Sequence, residues 1–354
     1  MTGVLHAVVP AGVDDPARPS GGNVYDRRVL DGLRACGWQV EEHQVEGAWP
    51  TPDVGALAGL ARVLGDLPEA ALVLVDGLIA SSAAVVLPGA SSRLRTVVLV
   101  HMPLGPDAGE EAVLSGASAV VTTSRATRDR LRQWYALRRV QVCEPGADRA
   151  PLATGSGTDG ALLCVAAVHR GKGHDLLLDA LAEVGDQPWT LTCVGSLEVD
   201  PIHVERLQQK VYARRWEGRV RFVGPLGGRS LEAAYDVADL VVLASRAESY
   251  GMVLTEALAH GLPVVATRVG GVAEAVGRAL DGSAPGLLVA PDDTAALASA
   301  LGGWLSDGDL RRRLAAAAAS RRTGLRPWSA TAADLAAVLT QVDHRVQATA
   351  GTRR

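Results

Sequence analysis

Residues 4–10 form an unbroken apolar run of strand length, a Pro- and Gly-rich loop follows, and over residues 24–36 apolar positions return with helical spacing. Strand, loop, helix is how a doubly wound parallel sheet opens. The unit recurs. Short runs rich in β-branched residues at 71–75, 96–101, 119–122 and 140–143 are separated by helical or polar stretches. They are continuous rather than alternating, as strands covered on both faces are. This first alternation ends near Asp148.

Residues 149–160, RAPLATGSGTDG, are small and polar with little to bury, which predicts an exposed linker. A second alternation then begins, with strands expected at 161–165, 189–194, 220–223, 240–244, 263–267 and 286–289 and helices between them. Beyond Pro291 the pattern is wholly helical, and Pro327 and Trp328 open a last amphipathic helix to about Val342, ahead of a polar tail. The expected division is two Rossmann-like lobes, 1–150 and 151–326, a helix at 327–345 and a tail at 346–354.

Composition acts mainly by exclusion. A chain of 354 residues suits two domains, and 48% hydrophobic with 21% charged residues is globular; one Phe against 39 Gly points to a core of Ala, Val and Leu with many tight turns. A formal charge of −4 supplies no overall positive field for a nucleic-acid backbone, so no nucleic-acid partner is expected. Arg311, Arg312 and Arg313 read as a solvated helix face. Cys36, Cys143, Cys164 and Cys193 lack CxxC spacing and read as core-filling thiols in a reducing cytoplasm. No uncharged apolar run reaches the roughly 18 residues of a spanning helix, and the start lacks a basic leader. The expectation is a cytoplasmic protein without a transmembrane segment; loose membrane association and a homodimer stay open.

The segment richest in chemistry runs from Glu248 through Ser249, Tyr250, Gly251, Met252 and Val253 to Glu256, after an expected strand and into a helix. If that helix starts near Gly251, Glu256 lies one turn beyond Met252, and its carboxylate shares a side with the free N–H groups of the first turn. Such N–H groups favour an anion such as a diphosphate. A carboxylate suits bidentate recognition of a diol, so Glu248 fits sugar hydroxyls and Glu256 fits a ribose. The bland alternative is two ordinary first-turn glutamates.

With Tyr250 and Gly251, and with His260, Gly261 and Pro263 in register, this segment resembles the E-x7-E signature of retaining glycosyltransferases of the GT-B fold, in particular glycosyltransferase family four. The resemblance runs along almost the whole chain. It implies an α/β protein of two Rossmann-like domains facing across a cleft, the nucleotide-sugar donor mainly on the second, the acceptor on the first, and the last helix crossing back to the first. It further implies transfer of a hexose-type sugar, UDP-linked in the commonest case, to a hydroxyl acceptor of aminocyclitol, glycolipid or polysaccharide type. Neither cofactor nor metal is expected to be required.

Residue by residue, the resemblance gives Gly21 and Gly22 the role of a backbone loop approaching the donor diphosphate, and His101 that of a cleft-facing imidazole near the reacting sugar. Asn23, Asp26 and Arg27 are placed towards the acceptor, Pro145 to Asp148 at the hinge, and Gly195 and Leu226 along the nucleotide pocket. Lys172 matches the phosphate-binding Lys, but Ala167 stands where the family presents an Arg; Arg170 and His169 are the candidates to replace it. Glu248 is given positioning and electrostatics, not covalent catalysis.

Two patterns mislead. Gly155, Gly157 and Gly160 spell a dinucleotide fingerprint yet precede a strand instead of following one. Asp307 and Asp309 look like a metal-binding pair but sit between helices and read as a capping turn. Three rivals share the two lobes: a GT-B sugar-nucleotide epimerase, a phosphorylase, and a non-catalytic sugar-nucleotide-binding protein.

Overall fold

The computed structural model describes residues 3–15, 20–185 and 187–351, with side chains as far as His344. The chain forms two compact units, one of Met1–Asp14, Ser20–Gly146 and Arg326–Arg354, the other built on Ala147–Leu325. The change of unit falls at the Pro145 to Asp148 turn.

The first unit alternates as β1 (Val4–Pro10), α1 (Gly21–Ala35), β2 (Gln39–Val45), α2 (Val54–Asp66), β3 (Leu72–Asp76), α3 (Gly77–Ser82) and α4 (Leu87–Ser91). It continues with β4 (Arg95–Val100), α5 (Ala108–Gly116), β5 (Ala119–Thr122), α6 (Arg125–Tyr135) and β6 (Val140–Val142). Its six strands are parallel, in the order β2-β1-β3-β4-β5-β6. The sequence pattern missed β2, because Gln39–Val45 mixes Glu41, Glu42 and His43 among its apolar positions as an edge strand is free to do.

The second unit repeats the scheme with β7 (Ala161–Val165), α7 (His174–Glu183), β8 (Thr190–Val194), α8 (Pro201–Ala213), β9 (Val220–Phe222), α9 (Gly228–Asp236) and β10 (Leu240–Leu243). Then come α10 (Met252–Ala259), β11 (Val264–Thr267), α11 (Val272–Val276), β12 (Gly286–Val289), α12 (Thr294–Ser306) and α13 (Gly308–Arg322). The order is β12-β11-β10-β7-β8-β9. Alternate residues serve opposite faces: Leu162 and Cys164 join Leu177, Leu301 and Trp304, while Leu163 joins Val241, Leu254 and Leu258. Burial on both sides is why these strands read as unbroken apolar runs.

The last helix, α14 (Trp328–Gly351), belongs to the first unit and packs on α1. A Cβ on Gly32 would collide with the Ala332 methyl, so the two helices cross at their smallest residues. Thr331 Oγ1 donates to the Glu144 carbonyl at 2.7 Å, and Arg95 pairs with Asp343. The helix runs through residues expected to be tail; residues 352–354 lie outside the described residues.

Three other expectations change. The segment at 149–160 is exposed but tethered, since Thr154 and Ser156 bond to Asp236 and Asp239. Cys143, Cys164 and Cys193 are buried, whereas Cys36 is exposed. Arg311 is not simply solvated: it donates to the Trp304 carbonyl at 2.8 Å and pairs with Asp159 at 3.1 Å. Asp307 caps α13 as expected, accepting from the amides of Asp309 and Leu310.

Candidate functional site

In open parallel sheets, ligands bind beyond the carboxyl ends of the strands, where the strand order reverses. In the second unit that point lies between the neighbours β7 and β10. The loop after β7 carries Lys172 and the loop after β10 carries Glu248. They meet: Lys172 Nζ is 2.6 Å from Glu248 Oε1, and Ser245 Oγ donates to that same oxygen at 2.7 Å. The Glu248 side chain is 9% exposed and that of Lys172 is 22%.

The backbone explains the meeting. Lys172 ends a single 3-10 turn closed by Gly173, whose φ of 66° is left-handed; a Cβ there would strike the Ala244 carbonyl, so the β7 loop lies directly against the end of β10. Gly270, at φ 48°, lets its loop approach the Glu248 carbonyl in the same way. Arg246 locks the arrangement, with both terminal nitrogens on Asp175 at 2.9 Å, one of them also on the Arg170 carbonyl at 2.6 Å, and Nε on Asp292 at 2.8 Å.

Glu256 projects from α10, eight residues after Glu248. Its Oε2 accepts from the Tyr235 hydroxyl at 2.9 Å, and the Tyr235 ring stacks on His260 with centroids 4.7 Å apart. Burial and then the nearby Glu256 hold the Tyr235 phenol well above its ordinary pKa, so it remains a donor. Gly251 precedes the helix at φ 92° and offers no capping side chain, leaving the first-turn amides without one. Met252 and Val253 are half-buried on that turn, beside Ser249, and Tyr250 is buried, 5% exposed.

Around this centre, Gly195 has φ 150° where a Cβ would strike the Ala166 carbonyl, and its amide donates to Gly224 at 2.9 Å. Leu226 is half-buried and packs against the sheet core. His169 spends its Nδ1 accepting from the Gly171 amide at 3.2 Å, and burial, then Lys172, lowers its pKa. A neutral His169 used as a cap is a poor substitute for the cation missing at Ala167. Arg170 has an exposed side chain beside the turn.

In the first unit, the order reverses between β1 and β3. There Gly22, on the first turn of α1, faces His101: a Cβ on Gly22 would sit 3.3 Å from the ring. His101 Nε2 lies 2.8 Å from Asp26 and 3.4 Å from Asp76. Burial opposes charging His101, but the two carboxylates prevail and push its pKa up to about 10. Burial pushes Asp26 up to about 6 against the pull of His101. Burial acts likewise on Asp76, where bonds from His101 and the Leu78 amide outweigh it and hold the carboxyl below its usual range. The result is a buried imidazolium between two acids.

Two residues placed towards the acceptor by resemblance are engaged by the protein itself. Asp26 is 3% exposed and turned to His101. Arg27 is engaged by Glu42 at 2.5 Å and Asp14 at 2.6 Å, leaving its guanidinium committed to the protein. Asn23 is half-buried, with its amide donating to the Ser20 cap at 3.0 Å. Sequence reasoning missed Asp76, Tyr235, Ser245, Arg246 and Asp175. Only Asp76 left a local trace, as a carboxylate closing the apolar run of β3.

Residues 159–307 match the family described as Glycosyl transferases group 1. A D-inositol 3-phosphate glycosyltransferase of Jonesia denitrificans is 33% identical over 65% of this chain and 58% of its own length. A D-inositol 3-phosphate glycosyltransferase 2 of Catenulispora acidiphila is 31% identical over 85% of this chain and 67% of its own. The chain thus spans about three fifths of the first of these relatives. Among solved structures, sucrose-phosphate synthase of Thermosynechococcus elongatus superposes with TM-score 0.80 at 22% identity, over 97% of this chain and 99% of that one. Anabaena Alr3699/HepE in complex with UDP-glucose gives 0.75 at 19%, over 96% and 99%.

Proposed function

We propose a function from one premise: the chain belongs to the group 1 glycosyltransferases, family four, and has their GT-B fold. On that premise it moves a hexose-type sugar, with retention of anomeric configuration, from a nucleotide-diphospho-sugar to a hydroxyl acceptor. A UDP-sugar is the donor put first, which the UDP-glucose complex of a protein with this fold supports. A cyclitol hydroxyl is the acceptor put first, which the names of the relatives support.

The observation that carries the reading is the Lys172–Glu248 pair at the switch point of the second sheet. Transfer builds negative charge on the departing diphosphate. A cation at roughly 4 Å is worth about 4 kcal/mol at an effective dielectric near 20, and it counts most where charge develops. Lys172 is that cation, aided by the uncapped amides at the start of α10. Glu248 positions the sugar, Glu256 takes the ribose hydroxyls, and Gly195 and Leu226 line the base pocket. In the first unit, the Gly21 and Gly22 backbone and His101 are the ligand-facing groups. No nucleophile is assigned: a leaving phosphate oxygen accepts the proton of the incoming hydroxyl.

The test is to incubate the chain with UDP-sugars and inositol, inositol phosphate, aminocyclitol and glycolipid acceptors, following UDP release and the anomeric proton of the product by NMR. An α-linked product from an α-linked donor is expected. An inverted product, an epimerised donor without acceptor, or dependence on inorganic phosphate would overturn the reading in favour of another GT-B activity.

A further inference from the structure

We propose that His6, Glu41 and His43 form a binding site for a divalent transition-metal ion of the zinc type, at the edge of the first sheet and separate from the groups assigned to sugar transfer. β1 and β2 run parallel with His6 opposite Glu41 and Val8 opposite His43. Side chains alternate with period two, so Glu41 and His43 project from one face of the edge strand, beside His6 on its neighbour.

Two of the donor separations approach those of a coordination shell. His6 Nδ1 lies 3.1 Å from His43 Nε2 and 3.3 Å from Glu41 Oε2, and the three groups offer ligand atoms all within 4.8 Å of one another. A tetrahedral zinc with ligands at about 2.0 to 2.2 Å has donor-to-donor edges of roughly 3.3 to 3.6 Å. Hydrogen bonding satisfies the cluster less well: His6 Nδ1 carries at most one proton, which His43 and Glu41 would have to share. A cation among them receives a lone pair from each.

Two further features suit a metal. Gln39 Nε2 donates to Glu41 Oε1 at 3.0 Å, which leaves Oε2 turned to His6 and fixes the carboxylate as outer-shell partners of metal ligands do. The His6 side chain is 10% exposed and that of Glu41 46%, so protein closes one side and water can reach the other for a fourth position. Two imidazoles and one carboxylate suit zinc, nickel or copper and are ill matched to magnesium or calcium, which prefer all-oxygen shells. The ion would fasten the edge strand β2 to β1, acting on stability and not on turnover.

Zinc chloride titrated into the metal-stripped full chain, by calorimetry and by thermal melting, tests this. The expected result is one zinc per chain with a raised melting temperature, while magnesium chloride at the same concentration shifts nothing. Losing an outer-shell partner costs about 10- to 100-fold in metal affinity. Gln39→Ala should fall in that range, and His43→Ala and Glu41→Gln should lose at least about 100-fold. Glu41→Gln keeps the shape of a partly exposed side chain and so guards against a folding defect. Absence of saturable zinc binding, or binding that both of these ligand variants leave unchanged, would overturn the site.

Discussion

Lys172 and Glu248, 76 residues apart in the chain, are joined across 2.6 Å through a single carboxylate oxygen, Oε1, which also accepts from Ser245. Among the described residues nothing is bonded to Glu248 Oε2, so one carboxylate oxygen is committed to the protein and the other is not. A cation and a carboxylate that fix each other in this way are positioned before any substrate arrives, which is what electrostatic stabilisation of a transition state requires.

If Lys172 meets the charge of the departing diphosphate, Lys172→Ala should lower kcat by roughly 10² to 10³, the scale for deleting one such group, with a smaller change in donor KM. Steady-state kinetics with saturating acceptor give the comparison. Near-normal turnover would remove Lys172 from the reaction.

If Glu256 takes the ribose as proposed, Tyr235 acts on the donor through its bond to Glu256. Tyr235→Phe deletes one hydrogen bond to a carboxylate that the ligand-free protein already makes, so donor binding should weaken by less than the roughly 1.5 to 3 kcal/mol such a bond contributes to stability, through the looser placement of Glu256. Calorimetric titration of the nucleotide measures this, and the change should be absent in a Glu256→Ala background.

The His101 cluster gives a pH signature of stability. The folded-state pKa of His101 is raised, to about 10, so its contribution is complete below the ordinary value near 6.5 and is lost as pH climbs through 10. Asp76, whose pKa is lowered, contributes above its ordinary value and loses that in acid; Asp26, raised to about 6, favours the protonated form and acts in the opposite sense. Between pH 7 and 10 the change within the cluster is therefore that of His101. Urea denaturation should show wild type losing stability across that interval more steeply than His101→Gln. Equal slopes would mean that no imidazolium is held there.

Helix α14 is fixed on α1 through a glycine. Gly32→Val should overpack the crossing at Ala332 and cost about 1 to 3 kcal/mol of unfolding free energy. Ala332→Gly in the same chain should recover part of the loss, which a double-mutant cycle in urea would read.

The eleven strands with apolar runs and the wholly helical end could be read from the sequence because burial on both faces writes itself into consecutive residues. β2 could not, since an edge strand with Glu41, Glu42 and His43 carries no such run, and it is the strand that holds two of the three proposed zinc ligands. The Glu248 to Glu256 segment was legible because its strand, loop and helix lie within a few turns of one another. The partners that tune it were not. Tyr235 reaches Glu256 over 21 residues, Arg246 reaches Asp175 over 71, and Asp26 reaches His101 over 75. Those distances are closed by sheet topology, which places loops from separate strands at one edge. The partners of Asp26 and Arg27 were hidden for the same reason: His101, Glu42 and Asp14 come from other strands and loops.

The central claim is that the second unit holds a nucleotide diphosphate with its ribose on Glu256. Calorimetric titration of UDP, GDP and ADP into wild type and Glu256→Ala tests it most directly. One-site binding is expected, strongest for UDP and weakened about 10- to 100-fold by the substitution, as loss of charge-assisted hydrogen bonds worth about 1.5 to 3 kcal/mol implies. Equal affinity in both proteins, or no saturable binding of any of the three nucleotides to wild type, would contradict it.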